Sequence, residues 1–152
     1  MLLAIWASGL TVSCQDVERA GNRGAAEKNG TGELRSDIEP LVRRFGDLSG
    51  SPQVRWMSGT YGDPRNPGPS MYWIDAVITL DPVKVAQLTG AYAPVAAQAA
   101  PDVVKGLRPH LPPGPFKTSE ALDTAFEKQE GWGVTAYLDT GANILVLVAQ
   151  GT

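Results

Sequence analysis

The sequence predicts an α+β domain whose antiparallel four-stranded sheet is made of two hairpins, with helices packed on it. Three observations lead there. Residues 71–80 (MYWIDAVITL) form a run of β-branched and aromatic residues with the composition of a strand. Residues 133–139 and 143–149 flank a tight Thr140-Gly141-Ala142 turn, the pattern of a hairpin. Between these strand regions lie stretches with helix-start signals and apolar residues at helical spacing. Two hairpins separated by helices merge most simply into one sheet covered by those helices.

Taken in order, Ser36-Asp37-Ile38-Glu39 is a capping-box pattern, followed by Pro40 in the first turn and by Gly46 as a stop. Ile38, Leu41, Val42 and Phe45 form the apolar stripe of this first helix. Residues 54–58 (VRWMS) read as a strand, and the turn-rich stretch 59–70 carries three prolines and three glycines. In the strand 71–80 the even positions Tyr72, Ile74, Ala76, Ile78 and Leu80 form the core side, leaving Met71, Trp73, Asp75, Val77 and Thr79 on the other. That second face needs a cover, either a helix such as the first one or a partner. Asp81-Pro82 starts a second helix that Gly90 ends. Pro101 is placed to open a short helix to Leu107, whereas 109–115 (PHLPPGP) should run extended over the surface. Thr118 or Ser119 caps a third helix with the stripe Ala121, Leu122, Ala125 and Phe126. The closing run NILVLVA is apolar on both faces, as a central strand requires.

The 152 residues have room for one domain, and a hydrophobic fraction of 43% with 19% charged residues is that of a globular chain. A net charge of −3 without a basic block speaks against nucleic acid as a partner. One His and one Cys exclude an intramolecular disulfide and CxxC-type sites, so no metal or other cofactor is expected.

The N-terminal stretch 1–13 (MLLAIWASGLTVS) is uncharged and is followed at once by Cys14. It is too short for a bilayer-spanning helix of ~20 residues and has the length of the apolar region of a secretory signal. The residues Thr11-Val12-Ser13-Cys14 resemble the lipobox of bacterial lipoproteins, in which the Cys receives the lipid and becomes the new N-terminus. A plain signal peptide with an incidental Cys, and a buried helix with a structural Cys, are the alternatives. A lone thiol in an exported protein is a liability unless modified, which favours the lipoprotein reading. Residues 15–33 contain four glycines, many charges and little apolar surface, too little to offset ordering entropy. The expected organisation is therefore a signal peptide (1–13), a flexible tether with no part in folding (14–35) and one domain (36–152).

Residues 39–45 (EPLVRRF), 54–62 (VRWMSGTYG) and 67–80 (PGPSMYWIDAVITL) are similar to small actinobacterial lipoproteins. The similarity spans the domain from about Ser36 onward. It implies export and anchoring at the extracellular face of the cell membrane, and it brings no activity with it.

Candidate chemistry is sparse. His110, the sole histidine, falls in the Pro-rich segment, and no nucleophile elbow, P-loop, HExxH or EF-hand pattern occurs. Asp75 is the most informative polar residue, because it lies mid-strand between apolar neighbours. With Trp56 directed to the core, Arg55 projects to the same face, and an Arg55–Asp75 pair across the strands is available as a register-fixing contact. A binding or acid–base role for Asp75 is the other reading. Trp56, Trp73, Trp132, Tyr72 and Tyr137 fall at packing parity and are expected in the core. Tyr61 differs, since it shares a Pro-stiffened loop with Asp63, Arg65 and Asn66. Candidate binding residues are thus Tyr61, Asp63, Arg65, Trp73 and Asp75, with Cys14 as the lipid attachment site. Two functional classes follow: a non-enzymatic, monomeric envelope module that binds a protein, glycan or lipid, and a carboxylate-dependent envelope hydrolase built around Asp75 and Asp139.

Overall fold

The computed structural model describes residues 28–30, 33–46, 48–49, 53–62, 65 and 68–152. Cys14, the stretch 1–13 and Asp63 lie outside the described residues. The α+β class holds, but the antiparallel sheet has seven strands rather than four, in the order β1-β2-β3-β7-β6-β5-β4. Its middle is the expected pair of hairpins. β2 (Gln53–Tyr61) pairs with β3 (Tyr72–Thr79), β6 (Trp132–Asp139) pairs with β7 (Ile144–Gly151), and β3 joins β7. The three additional strands are β1 (Lys28–Gly30), β4 (Val95–Ala96) and β5 (Lys117–Thr118). Two or three residues show no periodicity, which is why pattern reading misses them.

β1 changes the domain boundary. Lys28 pairs with Tyr61, Asn29 with Thr60 and Gly30 with Gly59, so the end of the stretch expected as tether belongs to the sheet. A little further on, Arg35 and Trp56 exchange backbone hydrogen bonds of 2.9 Å in an isolated bridge.

On one face of the sheet lie α1 (Glu39–Arg44), α2 (Pro82–Tyr92) and α3 (Glu120–Phe126). They bury Leu41, Phe45, Val85, Leu88, Leu122 and Phe126 against Trp56, Ile74, Ala76, Ile78, Leu145 and Leu147. This is the even face of β3, as parity requires, except that Tyr72 at the strand's start remains 46% exposed. The first helix begins later than its capping box suggests, with Ile38 at the N-cap and no side-chain cap. The Asp37 carboxylate is engaged by Arg35 Nε and Nη2 at 3.1 and 2.7 Å instead. Val42 turns outward, whereas Ile38 packs at the core's margin. Gly46 matters through close approach, not as a left-handed stop, because a Cβ there would run into the Ala125 carbonyl of α3. α2 continues through Gly90 and stops at Ala93 in the left-handed conformation, and Asp81 at its N-cap makes no side-chain cap bond. α3 is capped as expected, with Ser119 Oγ accepting the Leu122 N–H at 3.1 Å. Asp123 within it and Glu127 just past its end also reach β6, where Ala136 N–H donates to Asp123 at 2.8 Å and Val134 N–H to Glu127 at 3.3 Å.

The other face buries a second cluster, Met57, Trp73, Val77, Val103, Leu107 and Val146. Its cover is the segment 103–111, with a 3-10 helix at Lys105–His110, and not α1. This turn sits later than the helix expected from Pro101, and it includes Pro109. β7 is buried from both sides, with Leu145 and Leu147 in the first cluster and Val146 in the second. That is what its two-sided apolar sequence demands.

Candidate functional site

Asp75 points into the second cluster and is fully buried. Its position on β3 follows from register: it lies opposite Met57 on β2 and Val148 on β7. Arg55 stands opposite Val77, projects toward solvent and lines a small cleft of about 120 Å³ with Gln53, Thr79 and half-buried His110. The expected Arg55–Asp75 pair is therefore replaced. Lys28 of β1 places Nζ 2.8 Å from each Asp75 carboxylate oxygen and donates to the Asp102 carbonyl at 2.9 Å. The Val104 N–H donates to the same carboxylate at 2.6 Å.

Two neighbours complete the arrangement. Trp73 is fully buried, and its indole N–H is shared between the Asn29 and Thr60 carbonyls, both at 3.1 Å. Lys28 Nζ lies 5.8 Å from the centre of that ring. Tyr61 packs against the same cluster. Burial raises its phenol above the ordinary value, and the Asp75 and Asp102 charges push in the same direction. Of the loop residues expected to bind, Tyr61 thus joins Trp73 and Asp75 in one packed unit, while Arg65 is exposed in the loop. Since β1, β3 and the 102–104 segment all converge on one carboxylate, the unit acts as a fastener between three pieces of chain. In some proteins buried ion pairs fix register in this way.

Burial also raises the Asp75 carboxyl, with Lys28 and the Val104 N–H opposing the shift in part. A carboxyl whose folded pKa lies above its unfolded value binds its proton more tightly in the native state. Its stabilising contribution is then full below the unfolded pKa and is lost as pH rises through the folded one. Asp75→Asn is expected to flatten the stability-versus-pH profile from about pH 4 upward, read from urea midpoints across that range. The flattening is partial, because burial raises Asp123 in the same sense. Superimposable profiles for the two proteins would show that Asp75 does not carry this dependence.

Asp139 makes no pair with Asp75. Asp75 lies opposite Val148 and Asp139 opposite Ile144, which at strand spacing is roughly 13 Å along β7. The Asp139 carboxylate accepts the Gly141 and Ala142 N–H groups at 2.9 Å each and so builds the hairpin turn. Among the described residues no cluster of three or more His, Cys, Asp or Glu is placed to hold a metal ion.

An open groove of about 570 Å³ lies on the helical face instead, between α1, the Thr60 end of β2, the start of β3 and the 129–132 turn. Its lining combines Trp56, Tyr72 and Trp132 with Arg35 and Arg44, and adds the polar side chains of Ser58, Thr60, Gln129 and Thr152. The two tryptophan rings are held in place. Trp132 lies across the backbone of Gly151, its β7 partner, where a Cβ would come within 2.5 Å of ring atoms. The Arg44 guanidinium sits 5.0 Å from the Trp132 ring centre. Trp56 donates its indole N–H to the Asp37 carbonyl at 2.8 Å and carries the Arg35 guanidinium 4.3 Å from its ring centre. Sequence reading assigned Trp56 and Trp132 to the core, which they are, yet each also lines this groove and has a guanidinium over its ring. The signal in the sequence was the arginine at the end of helix one, which has no meaning until the fold sets it beside Trp132.

No helix among the described residues is long and apolar enough to cross a membrane. Comparison with protein-family models, with curated proteins and with solved structures finds no match to this chain.

Proposed function

We propose that this chain is a lipid-anchored lipoprotein of the extracellular face of a bacterial membrane, whose folded domain binds a ligand without transforming it. The observation that carries the binding role is the groove between α1 and the Thr60 end of β2. Its volume is within the ~300–1,000 Å³ of small-molecule sites, and it joins aromatic and polar groups on rigid strands. The anchor rests on the uncharged stretch 1–13 and on Cys14, the one cysteine of the chain. The hydrolase reading is not favoured: Asp75 is closed off beneath Lys28 and Val104, and Asp139 is occupied in its own turn.

Both parts are open to test. Expressed in an actinobacterial host, the protein is expected to enter the detergent phase on temperature-induced separation. Cys14→Ser should stay aqueous or remain unprocessed, and equal partitioning of the two would end the anchor proposal. For the groove, the full chain carrying Cys14→Ser would be screened by NMR against a fragment set of mixed charge. Shifts should concentrate at the amides of Ser58, Thr60 and Thr152 and at the Trp132 indole. A set that moves none of these signals would refute the site.

A further inference from the structure

The geometry points to an organic anion as the ligand of this groove: a phosphate or carboxylate group carried on a flat apolar body. This rests on the binding role proposed above and narrows it to one chemical class. A neutral sugar would need a bare aromatic face to stack on. Tyr72 alone, 46% exposed, leaves a ring open in the lining; the two tryptophans do not, because Trp132 is enclosed by Gly151 and Arg44, and Trp56 carries Arg35. What they offer are two guanidinium groups held in place on their rings.

A guanidinium held over a ring makes that contact through its charge and keeps N–H donors for other partners, and these are the donors that match a carboxylate or phosphate. Stacking also restricts the long side chain before any ligand arrives, which lowers the ordering cost of binding. On Arg35 the Nε and Nη2 atoms hold Asp37, which leaves the Nη1 side turned away from that carboxylate. Among the described residues no Asp or Glu lines the groove, so its charged lining is wholly cationic on a chain whose net charge is −3. Tyr72 and the flanks of Leu41 and Ile74 supply the apolar floor for the body of the ligand. Ser58, Thr60 and Thr152 add hydroxyl-bearing residues to the lining.

Phenyl phosphate, phenol and inorganic phosphate form a probe set that separates charge from body. With the full chain carrying Cys14→Ser, phenyl phosphate should shift the Trp132 indole and the Ser58 and Thr152 amides saturably. Phenol and inorganic phosphate should each bind at least roughly tenfold more weakly, since each lacks one of the two contacts. Arg44→Gln and Arg35→Gln should each lower the phenyl phosphate affinity by about tenfold, and added salt should lower it further. Arg43→Gln removes the same charge from the exposed side of α1 and should leave the affinity unchanged. Equal loss in Arg43→Gln would reduce the effect to net charge and overturn the inference. Phenol binding as tightly as phenyl phosphate would also overturn it while leaving the groove as a binding site. Inorganic phosphate binding as tightly as phenyl phosphate would overturn the requirement for an apolar body. Silence from all three probes at the groove would refute the anion, and the broader fragment screen then decides whether the site itself survives.

Discussion

Trp73→Ala is expected to destabilise the domain by about 3–5 kcal/mol, the cost of truncating a buried aromatic side chain. Trp73 has no solvent exposure and is the largest side chain of the cluster under the 103–111 segment. Its removal leaves a cavity between β3 and the 3-10 helix. It also leaves the Asn29 and Thr60 carbonyls without their shared donor and takes away the ring beneath Lys28. Trp73→Phe separates the contributions, since it keeps most of the apolar body and loses the N–H. It should cost clearly less than the alanine change, the lost hydrogen bond amounting to about 1 kcal/mol. Urea unfolding of the three proteins gives the comparison. An alanine variant within about 1 kcal/mol of the parent would mean that the second face does not contribute to stability as its burial implies.

Lys28→Met should be comparably damaging, at about 3–5 kcal/mol, because it strands a buried carboxylate without its counter-charge. Among the described residues Asp75 then keeps the Val104 N–H as its hydrogen-bond donor. With the ammonium gone the carboxyl is pushed still higher, so the cost should grow from mildly acidic to neutral pH, where the proton is harder to retain. Combining Lys28→Met with Asp75→Leu should recover a large part of the loss, since an apolar pair of similar volume needs no compensation. Recovery will be incomplete, for the Val104 N–H then lacks an acceptor, worth about 1–3 kcal/mol. Chemical denaturation of single and double variants at two pH values makes the check. A neutral single variant would show that β1 does not hold Asp75 in solution.

These two residues mark how far the sequence could be read. Trp73 and Asp75 were placed on one face of a strand by alternation alone, and the need for a cover on that face followed from its apolar character. The helices were legible because Pro82, Ser119 and the stripes through Leu41, Leu122 and Phe126 are local signals. Lys28 was not legible. It sits among glycines and charges in a stretch that has little apolar surface to bury, and it pairs with a residue 47 positions away. Pattern methods weigh neighbours along the chain, so one ion pair across the sheet leaves no trace in them. The Arg55 expectation failed for a related reason. Parity gave it the correct face, but register set it opposite Val77, at the solvent end of that face. The groove was hidden for a third reason: Arg44 and Gly151 are more than a hundred residues apart, and only together do they fix the Trp132 ring.

The carboxylates of Asp123 and Glu127 and the short β1 strand have a joint consequence for molecules that meet at high concentration. Open sheet margins present rows of unpaired backbone donors and acceptors, and neighbouring copies can add to them strand by strand. Here Lys28–Gly30 and the Arg35 bridge occupy the outer side of β2. At the opposite margin Asp123 and Glu127 take the Ala136 and Val134 N–H groups of β6, and Lys117 pairs with Leu138. The outermost strand there, β4, is only two residues long. Among the described residues neither margin offers a template of useful length, and this protects the fold against edge-to-edge aggregation. Deleting Lys28–Gly30 would remove half of that protection along with the ion pair.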